Sequence, residues 1–247
     1  MTLSVMNDTP AAAEARLSYG PHPSQFVDFR RAALVGGARP LVVMIHGGFW
    51  RARRDLTYAG HLCVALGREG FATANIEYRR VGEEGGGWPG TLEDAAQAVR
   101  FARERAGEFH ADAARTLVMG HSAGGHLALW ISSEIPDVAG AISLAGASDL
   151  HRSYDLNLGE GAAAEFMGGA PDELPERYAV ADPALRPART PRVLIHGDAD
   201  DIVPVEVSRG FPEPRRLVEI PGADHHALID PASAAWSEVV SEIRRLI

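Results

Sequence analysis

The stretch Val118-Met119-Gly120-His121-Ser122-Ala123-Gly124-Gly125 sets one serine between glycines directly after an apolar run. In a Gly-x-Ser-x-Gly arrangement the chain leaves a strand, turns sharply at the serine and enters a helix. The glycines permit backbone approaches that a side chain would block. Arg115-Thr116-Leu117-Val118-Met119 supplies the strand, and His126-Leu127-Ala128-Leu129-Trp130-Ile131 continues as a helix-compatible segment. Ser122 is thereby expected to stand exposed at a strand's carboxyl end, facing the free N–H groups and partial positive charge of a helix amino terminus. The same pentapeptide also occurs in ordinary glycine-rich strand-to-helix turns, so its chemistry depends on what else the chain carries.

A serine hydroxyl is a weak nucleophile until a base takes its proton, and that base, a histidine, must be held by a carboxylate. In strand-turn-helix hydrolases the order along the chain is Ser, then acid, then His. Downstream of Ser122, the strand-like run Pro191-Arg192-Val193-Leu194-Ile195-His196 leads into the turn Gly197-Asp198-Ala199-Asp200-Asp201-Ile202-Val203-Pro204. A second run, Arg216-Leu217-Val218-Glu219-Ile220, leads into Pro221-Gly222-Ala223-Asp224-His225-His226. Acid and base thus both fall just beyond strand carboxyl ends, the edge of an open α/β sheet where sites assemble. The residues alone leave several acids and two histidines as candidates.

His196-Gly197-x-x-Asp200-x-x-Val203-Pro204 resembles the acid-bearing segment of α/β-hydrolases, and Gly222-Ala223-Asp224-His225 resembles their histidine turn. The resemblance implies Ser122 as nucleophile, Asp200 as orienting carboxylate and His225 as general base, with Asp201 and His226 as the alternatives. Leu41-Val42-Val43-Met44-Ile45-His46-Gly47-Gly48-Phe49-Trp50 resembles the His-Gly-Gly-Gly loop of hormone-sensitive-lipase-like esterases. It is closer still to the His-Gly-Gly-x-Trp variant of kynurenine formamidases and related small esterases. That likeness implies an oxyanion hole made by the N–H groups of Gly48, Phe49 and Ala123. Phe49 stands where the lipase-like pattern has its third glycine, and His46 and Trp50 are expected to buttress the loop.

The resemblance runs from about Arg39 to the carboxyl terminus and implies an α/β fold of the α/β-hydrolase type. That fold has a mostly parallel central sheet, helices on both faces and a small cap insertion. The alternation of short apolar strands with helical segments points the same way. His61 to Arg68 reads as a helix, Phe71 to Tyr78 as a strand and Val138 to Ala145 as another. Thr91-Leu92-Glu93-Asp94 resembles a capping signal opening a helix to about Arg105, and Gly85-Gly86-Gly87 reads as a surface connection. Residues 146–190 are too many for a minimal crossover and are expected to form the cap. Its Ser148, Asp149, His151 and Tyr154 are read as helix caps and turn residues ahead of substrate contacts. At the carboxyl end, Ala235, Val239, Ile243 and Leu246 recur at helical spacing.

With 247 residues, 46% of them hydrophobic, the chain is expected to form one domain, with residues 1–13 as a mobile tail. The net charge of −9 argues against nucleic acid as a partner. All 24 basic residues are arginine, which excludes Schiff-base chemistry and a P-loop lysine. Cys63 is the single cysteine, and no apolar run reaches the roughly 18 residues of a membrane helix, so a cytoplasmic protein without membrane contact is expected. Arg51, Arg53 and Arg54 follow the oxyanion loop. They read first as a solvated run pairing with Asp55 and nearby acids, and second as an attractor for a substrate carboxylate.

The expected function is hydrolysis of small carboxylic esters through an acyl-enzyme, without cofactor or metal. The alternative is aryl formamide hydrolysis of the N-formylkynurenine type. A peptidase is disfavoured because the chain has no room for a gating domain. A metal site at Asp198, Asp200, Asp201, His225 and His226 matches no tight ligand spacing, and a noncatalytic binding protein would leave a complete set of catalytic motifs unexplained.

Overall fold

The computed structural model describes residues 10–33, 36–212 and 215–247. Among these, one sheet holds β1 (Ala15–Ser18), β2 (Phe26–Arg30), β3 (Arg39–Ile45), β4 (Ala72–Ile76), β5 (Ala111–His121), β6 (Gly140–Leu144), β7 (Arg192–Gly197) and β8 (Arg216–Ile220). Their spatial order is β1-β2-β4-β3-β5-β6-β7-β8. β1, β2 and β4 pair antiparallel, and every pair from β4 through β8 is parallel. The helices are α1 (Gly60–Arg68), α2 (Gly90–Arg105), α3 (Ala123–Glu134), α4 (Leu150–Asp155), α5 (Ala162–Met167), α6 (Pro175–Ala181), α7 (Glu206–Arg209) and α8 (Trp236–Leu246).

A parallel sheet covered on both faces needs strands that are apolar on both sides. β3 meets that need by alternation. Leu41, Val43 and Ile45 join one core with Ala95, Val99 and Ala102 of α2 and Leu127 and Ile131 of α3. Val42 and Met44 face the other, with Leu62, Cys63 and Leu66 of α1 and Val239, Val240 and Ile243 of α8.

β4 and β5 flank β3 on opposite sides, so the winding direction reverses there and the loops leaving β3 and β5 open a crevice at the sheet's carboxyl edge. The parallel registers bring the neighbouring strand ends level: Ile45 pairs with Gly120, His121 with Leu144, Leu144 with Ile195 and Gly197 with Ile220. Everything that the sequence placed after these strands therefore converges on one rim.

Several boundaries differ from the sequence reading. β1 and β2 were not anticipated; they are short, and their pattern is broken by polar residues such as Arg16 and Asp28, which bond to each other at 2.7 and 2.8 Å. β5 starts at Ala111, four residues early, with a register shift between Pro40 and Leu41 that lets residues 113–115 loop out. The Thr91 capping signal does not cap. Pro89 occupies the cap position without a side-chain bond, while the Thr91 hydroxyl donates to the Arg79 carbonyl and Asp94 takes the Arg79 guanidinium at 2.7 and 2.8 Å. A buried carboxylate beside an arginine gains more from that charge-assisted pair than from a reciprocal cap.

Of the expected tail, residues 1–9 lie outside the described residues. Pro10 packs against Gly60, and the Ala11 carbonyl accepts from Arg30 Nη2 at 2.9 Å. Among the described residues no helix is long and apolar enough to cross a membrane.

Residues 146–190 carry α4, α5 and α6 and seat firmly on the sheet's own helices. His126 Nε2 donates to the Ala181 carbonyl at 3.0 Å and Trp130 Nε1 to that of Val180 at 2.9 Å. Asp149 caps α4 by accepting from Arg152 N, Ser148 bonds Ser143, and His151 Nδ1 donates to Asp182 at 2.9 Å. Tyr154 is exposed. Three of the four are thus engaged in local bonds of the insertion, and none of the four lines the cavity described next.

Candidate active site

The turn after β5 is as sharp as its sequence requires. Ser122 has φ 56° and ψ −120°, a conformation that costs a non-glycine residue roughly 1–3 kcal/mol and persists only where surroundings over-determine it. Here they do. A Cβ on Gly120 would stand 2.0 Å from the Gly124 carbonyl oxygen, and one on Gly124 would stand 2.1 Å from that of Ile45. The strand entering the turn, the helix leaving it and the neighbouring β3 touch backbone to backbone. The Ser122 N–H donates to the Leu144 carbonyl at 2.9 Å, tying the turn to β6. Contrary to the expected exposure, Ser122 is only 2% accessible; Gly47 packs closely against its Cβ, and Ser122 shares a cavity lining with His225.

The turns after β7 and β8 bring Asp200, and not the exposed Asp201, to His225. Asp200 Oδ2 accepts from His225 Nδ1 at 2.7 Å and lies 3.2 Å from His196 Nε2. Its Oδ1 accepts from the Ile202 and Val203 N–H groups at 2.9 and 2.8 Å. Burial alone would raise the carboxyl pKa; the bonds from His196 and His225 outweigh it and hold the group well below the usual carboxylate range. A carboxylate accepting at Nδ1 fixes the proton there, so the neutral His225 ring keeps Nε2 as its acceptor. His226, the alternative base, stands at 90° to His225 and has no bond to Asp200.

Two residues that the sequence reading passed over hold this histidine. His121 Nε2 donates to the His225 carbonyl at 2.8 Å, which leaves His121 Nδ1 to accept from Tyr58 Oη at 2.7 Å. Burial first, then the neighbouring His225 and His226, keep the His121 pKa well below the ordinary histidine value, so this ring stays neutral and its tautomer stays fixed. The only linear signal was that His121 fills the x before Ser122; its partner Tyr58 lies 63 residues away in sequence.

The loop after β3 carries an unusual backbone: Gly48, Phe49 and Trp50 all have positive φ, at 118°, 53° and 57°. Trp50 is buried and stacked on Phe166 at 4.9 Å, with its edge toward His126. His46 spans the Gly47 carbonyl and the Glu77 carboxylate at 2.8 and 2.9 Å. These anchors hold the strained loop. The N–H groups of Gly48, Phe49 and Ala123 have no hydrogen-bond acceptor among the described residues. Ser122, His225, Gly48, Phe49, Ile202 and His226 border one cavity of about 390 Å³. A larger hollow of about 600 Å³ beside Arg31 and His110 lies at the strands' amino ends and has no such convergence of groups.

Only one group of metal-ligand type is found among the described residues: Asp149, His151 and Asp182. Asp182 is already committed to the Leu150 and His151 N–H groups and the His151 ring, so that cluster ties down the insertion. It is also not the Asp198–Asp201 and His225–His226 set weighed from sequence.

Residues 28–135 match the family model described as BD-FAE. Among characterised relatives, esterase LipC of Mycobacterium tuberculosis is 28% identical over 85% of this chain and 59% of its own length. Isoprenylcysteine alpha-carbonyl methylesterase ICME of Arabidopsis thaliana is 24% identical over 93% of this chain and 60% of its own. The chain therefore spans about three-fifths of the length of these relatives. Among solved structures, a truncated carbohydrate esterase from gut microbiota superposes with TM-score 0.81 at 20% identity, covering 97% of this chain and 98% of that one. Esterase 2 of Thermogutta terrifontis with bound propionate gives 0.71 at 20% identity over 96% and 94%. Sheet order, the turn at Ser122 and these structural likenesses agree on the fold: the chain has the α/β-hydrolase fold.

Proposed function

We propose that this protein is a serine hydrolase that cleaves small carboxylic esters through an acyl-enzyme, with Ser122 as nucleophile, His225 as general base and Asp200 as its orienting carboxylate. What carries the reading is the 2.7 Å bond from His225 Nδ1 to Asp200, a carboxylate that also accepts from the Ile202 and Val203 N–H groups, with His225 and Ser122 lining one cavity. His225 Nε2 takes the hydroxyl proton as Ser122 Oγ attacks the ester carbonyl. The carbonyl oxygen gains charge and is met by the unengaged N–H groups of Gly48, Phe49 and Ala123. The imidazolium, stabilised by Asp200, passes its proton to the departing alkoxide. A water then attacks the acyl carbon, His225 takes its proton, and collapse of the second tetrahedral species returns the proton to Ser122 Oγ and frees the carboxylic acid.

Characterised relatives named as esterases support the reaction class. The test is turnover of short acyl esters by the wild type and by Ser122→Ala, in which kcat should fall by about 10⁶. Substantial residual turnover in that variant would remove Ser122 from the role.

A second reading, hydrolysis of an aryl formamide, is favoured by the aromatic side chains of Phe49 and Tyr58 on the same cavity, together with the His-Gly-Gly-x-Trp loop. The chemistry is identical apart from an amine leaving group, which His225 must protonate. Comparing kcat/KM for phenyl acetate and N-formylkynurenine separates the two.

A further inference from the structure

The three arginines after the oxyanion loop divide into two kinds. Arg51 turns to the insertion: its Nε bonds Glu165 at 2.6 Å and its Nη1 the Gly159 carbonyl at 2.7 Å. The expected pairing of the run with Asp55 does not occur, since that carboxylate accepts from the Thr57 N–H at 2.9 Å and opens a 3₁₀ turn at Leu56–Ala59. Arg53 and Arg54 instead line the cavity with Ser122 and His225, and their guanidinium groups have no hydrogen bond or ion pair among the described residues.

Arg54 is fixed at its base. Its Cβ sits 2.6 Å from where a Gly48 Cβ would be, and its carbonyl accepts from Arg80 Nη1, so stem and oxyanion loop form one packed unit. His226 titrates below the ordinary value through burial and then the charge of His225; Asp224 and Asp200 oppose that shift, and Arg54 adds the smallest contribution to it. Among the described residues, none of those lining the cavity is Asp or Glu. Part of the wall is apolar, where Phe49 and Ile202 pack with Leu158, Val203 and Val207. On a chain of net charge −9, the cavity thus presents two guanidinium groups beside an apolar stretch of wall, with the Asp200 carboxylate behind His225 and off the lining.

We infer that the substrates of this site are small esters that also carry a carboxylate, with Arg53 and Arg54 receiving the carboxylate and the Phe49–Ile202 wall receiving the apolar portion. Guanidinium groups suit this role because their planar N–H fork matches a carboxylate and stays charged at any working pH. The inference rests on the ester-hydrolase reading, and the test separates the two.

Two substrate pairs differ in charge alone to a first approximation: mono-4-nitrophenyl adipate against 4-nitrophenyl hexanoate, and 4-acetoxybenzoate against 4-acetoxybenzamide. The first pair carries the charge on the acyl side and the second on the leaving group. In at least one pair the anionic member should have the higher kcat/KM by about tenfold, the scale of two exposed charge-assisted contacts. That preference should reside in KM and shrink as salt rises from 0.05 to about 0.5 M, where the screening length is only a few ångströms. The double variant Arg53→Gln/Arg54→Gln should bring the ratio near one, and Arg53→Glu should invert it. Arg53→Gln alone, at an exposed side chain without partners, keeps the test available if the double variant does not fold, as judged by circular dichroism. Equal rates for charged and neutral members of both pairs, or a preference that survives the glutamine variants, would overturn the inference and leave the esterase reading intact. Failure to hydrolyse any of the four would bring down both.

Discussion

Asp200 is set apart by the number of donors that meet it, which suits the orienting role proposed for it. Its two oxygens meet His225, His196 and the Ile202 and Val203 N–H groups, while Asp201 one residue on stands exposed. Under the proposed mechanism, Asp200→Asn should lower kcat by about 10⁴ with little change in KM, because an amide that donates to Nδ1 imposes the wrong tautomer on His225. The same residue couples stability to pH. Its folded pKa lies below the unfolded value near 3.9, so the native state binds fewer protons there. The resulting stabilisation is full above about pH 4 and is lost as pH falls through the folded pKa. Acid denaturation followed by tryptophan fluorescence should therefore be shallower below pH 4 in Asp200→Asn than in the wild type. Tyr58→Phe is a subtler probe. It strips the donor from buried His121 Nδ1, so it should destabilise by about 1–3 kcal/mol in urea titration and lower kcat more than it raises KM. Asp200, Ser122 and His225 were legible because each sits at a fixed offset in a glycine-marked turn. Tyr58 and His121 were not, since a bond spanning 63 residues exists only once β5 and the α1 approach are folded together.

At the scale of elements, the elbow is the place where the fold stores strain for the site. Gly120 and Gly124 are the contact points of β5, α3 and β3, so an added methyl at either meets a carbonyl oxygen at about 2 Å. Gly124→Ala should cost at least about 3 kcal/mol, at the upper end of overpacking effects, and should abolish activity in whatever folded fraction remains, as read by urea denaturation and ester turnover. The loop after β3 is held differently, by burial of Trp50 on Phe166, and Trp50→Ala should cost about 3–5 kcal/mol. That contact joins the loop to the insertion over residues 146–190, whose existence was visible as surplus length between two strands. Its seating on α3 was not visible, since it depends on backbone carbonyls of Val180 and Ala181 that any sequence would supply. For the same reason the β1–β2 pair escaped notice: two strands of four and five residues with an Arg–Asp pair across them carry too little periodicity to stand out.

For the whole molecule, the apolar layers on both sides of the sheet account for why the α/β alternation was readable from pattern, while the α/β-hydrolase type came from the resemblance of the motifs at the strand ends. Strands buried on both faces leave continuous apolar runs, and β3, β5 and β7 each end in a motif that states which edge is functional. One global reporter is built in. Cys63 is fully buried between α1 and the sheet, and burial pushes its thiol up to about 12. Native protein should therefore resist a thiol-specific disulfide reagent at pH 8, and its slow labelling should run at the rate of unfolding of this core. Rapid labelling without loss of structure would mean that the α1 layer opens locally.

Activation of Ser122 by His225 is tested by reaction with a fluorophosphonate, followed by peptide mass spectrometry. One stoichiometric adduct is expected on Ser122, and it should disappear in His225→Ala; a folded protein that forms no adduct, or carries it on another residue, would remove Ser122 from the role of nucleophile.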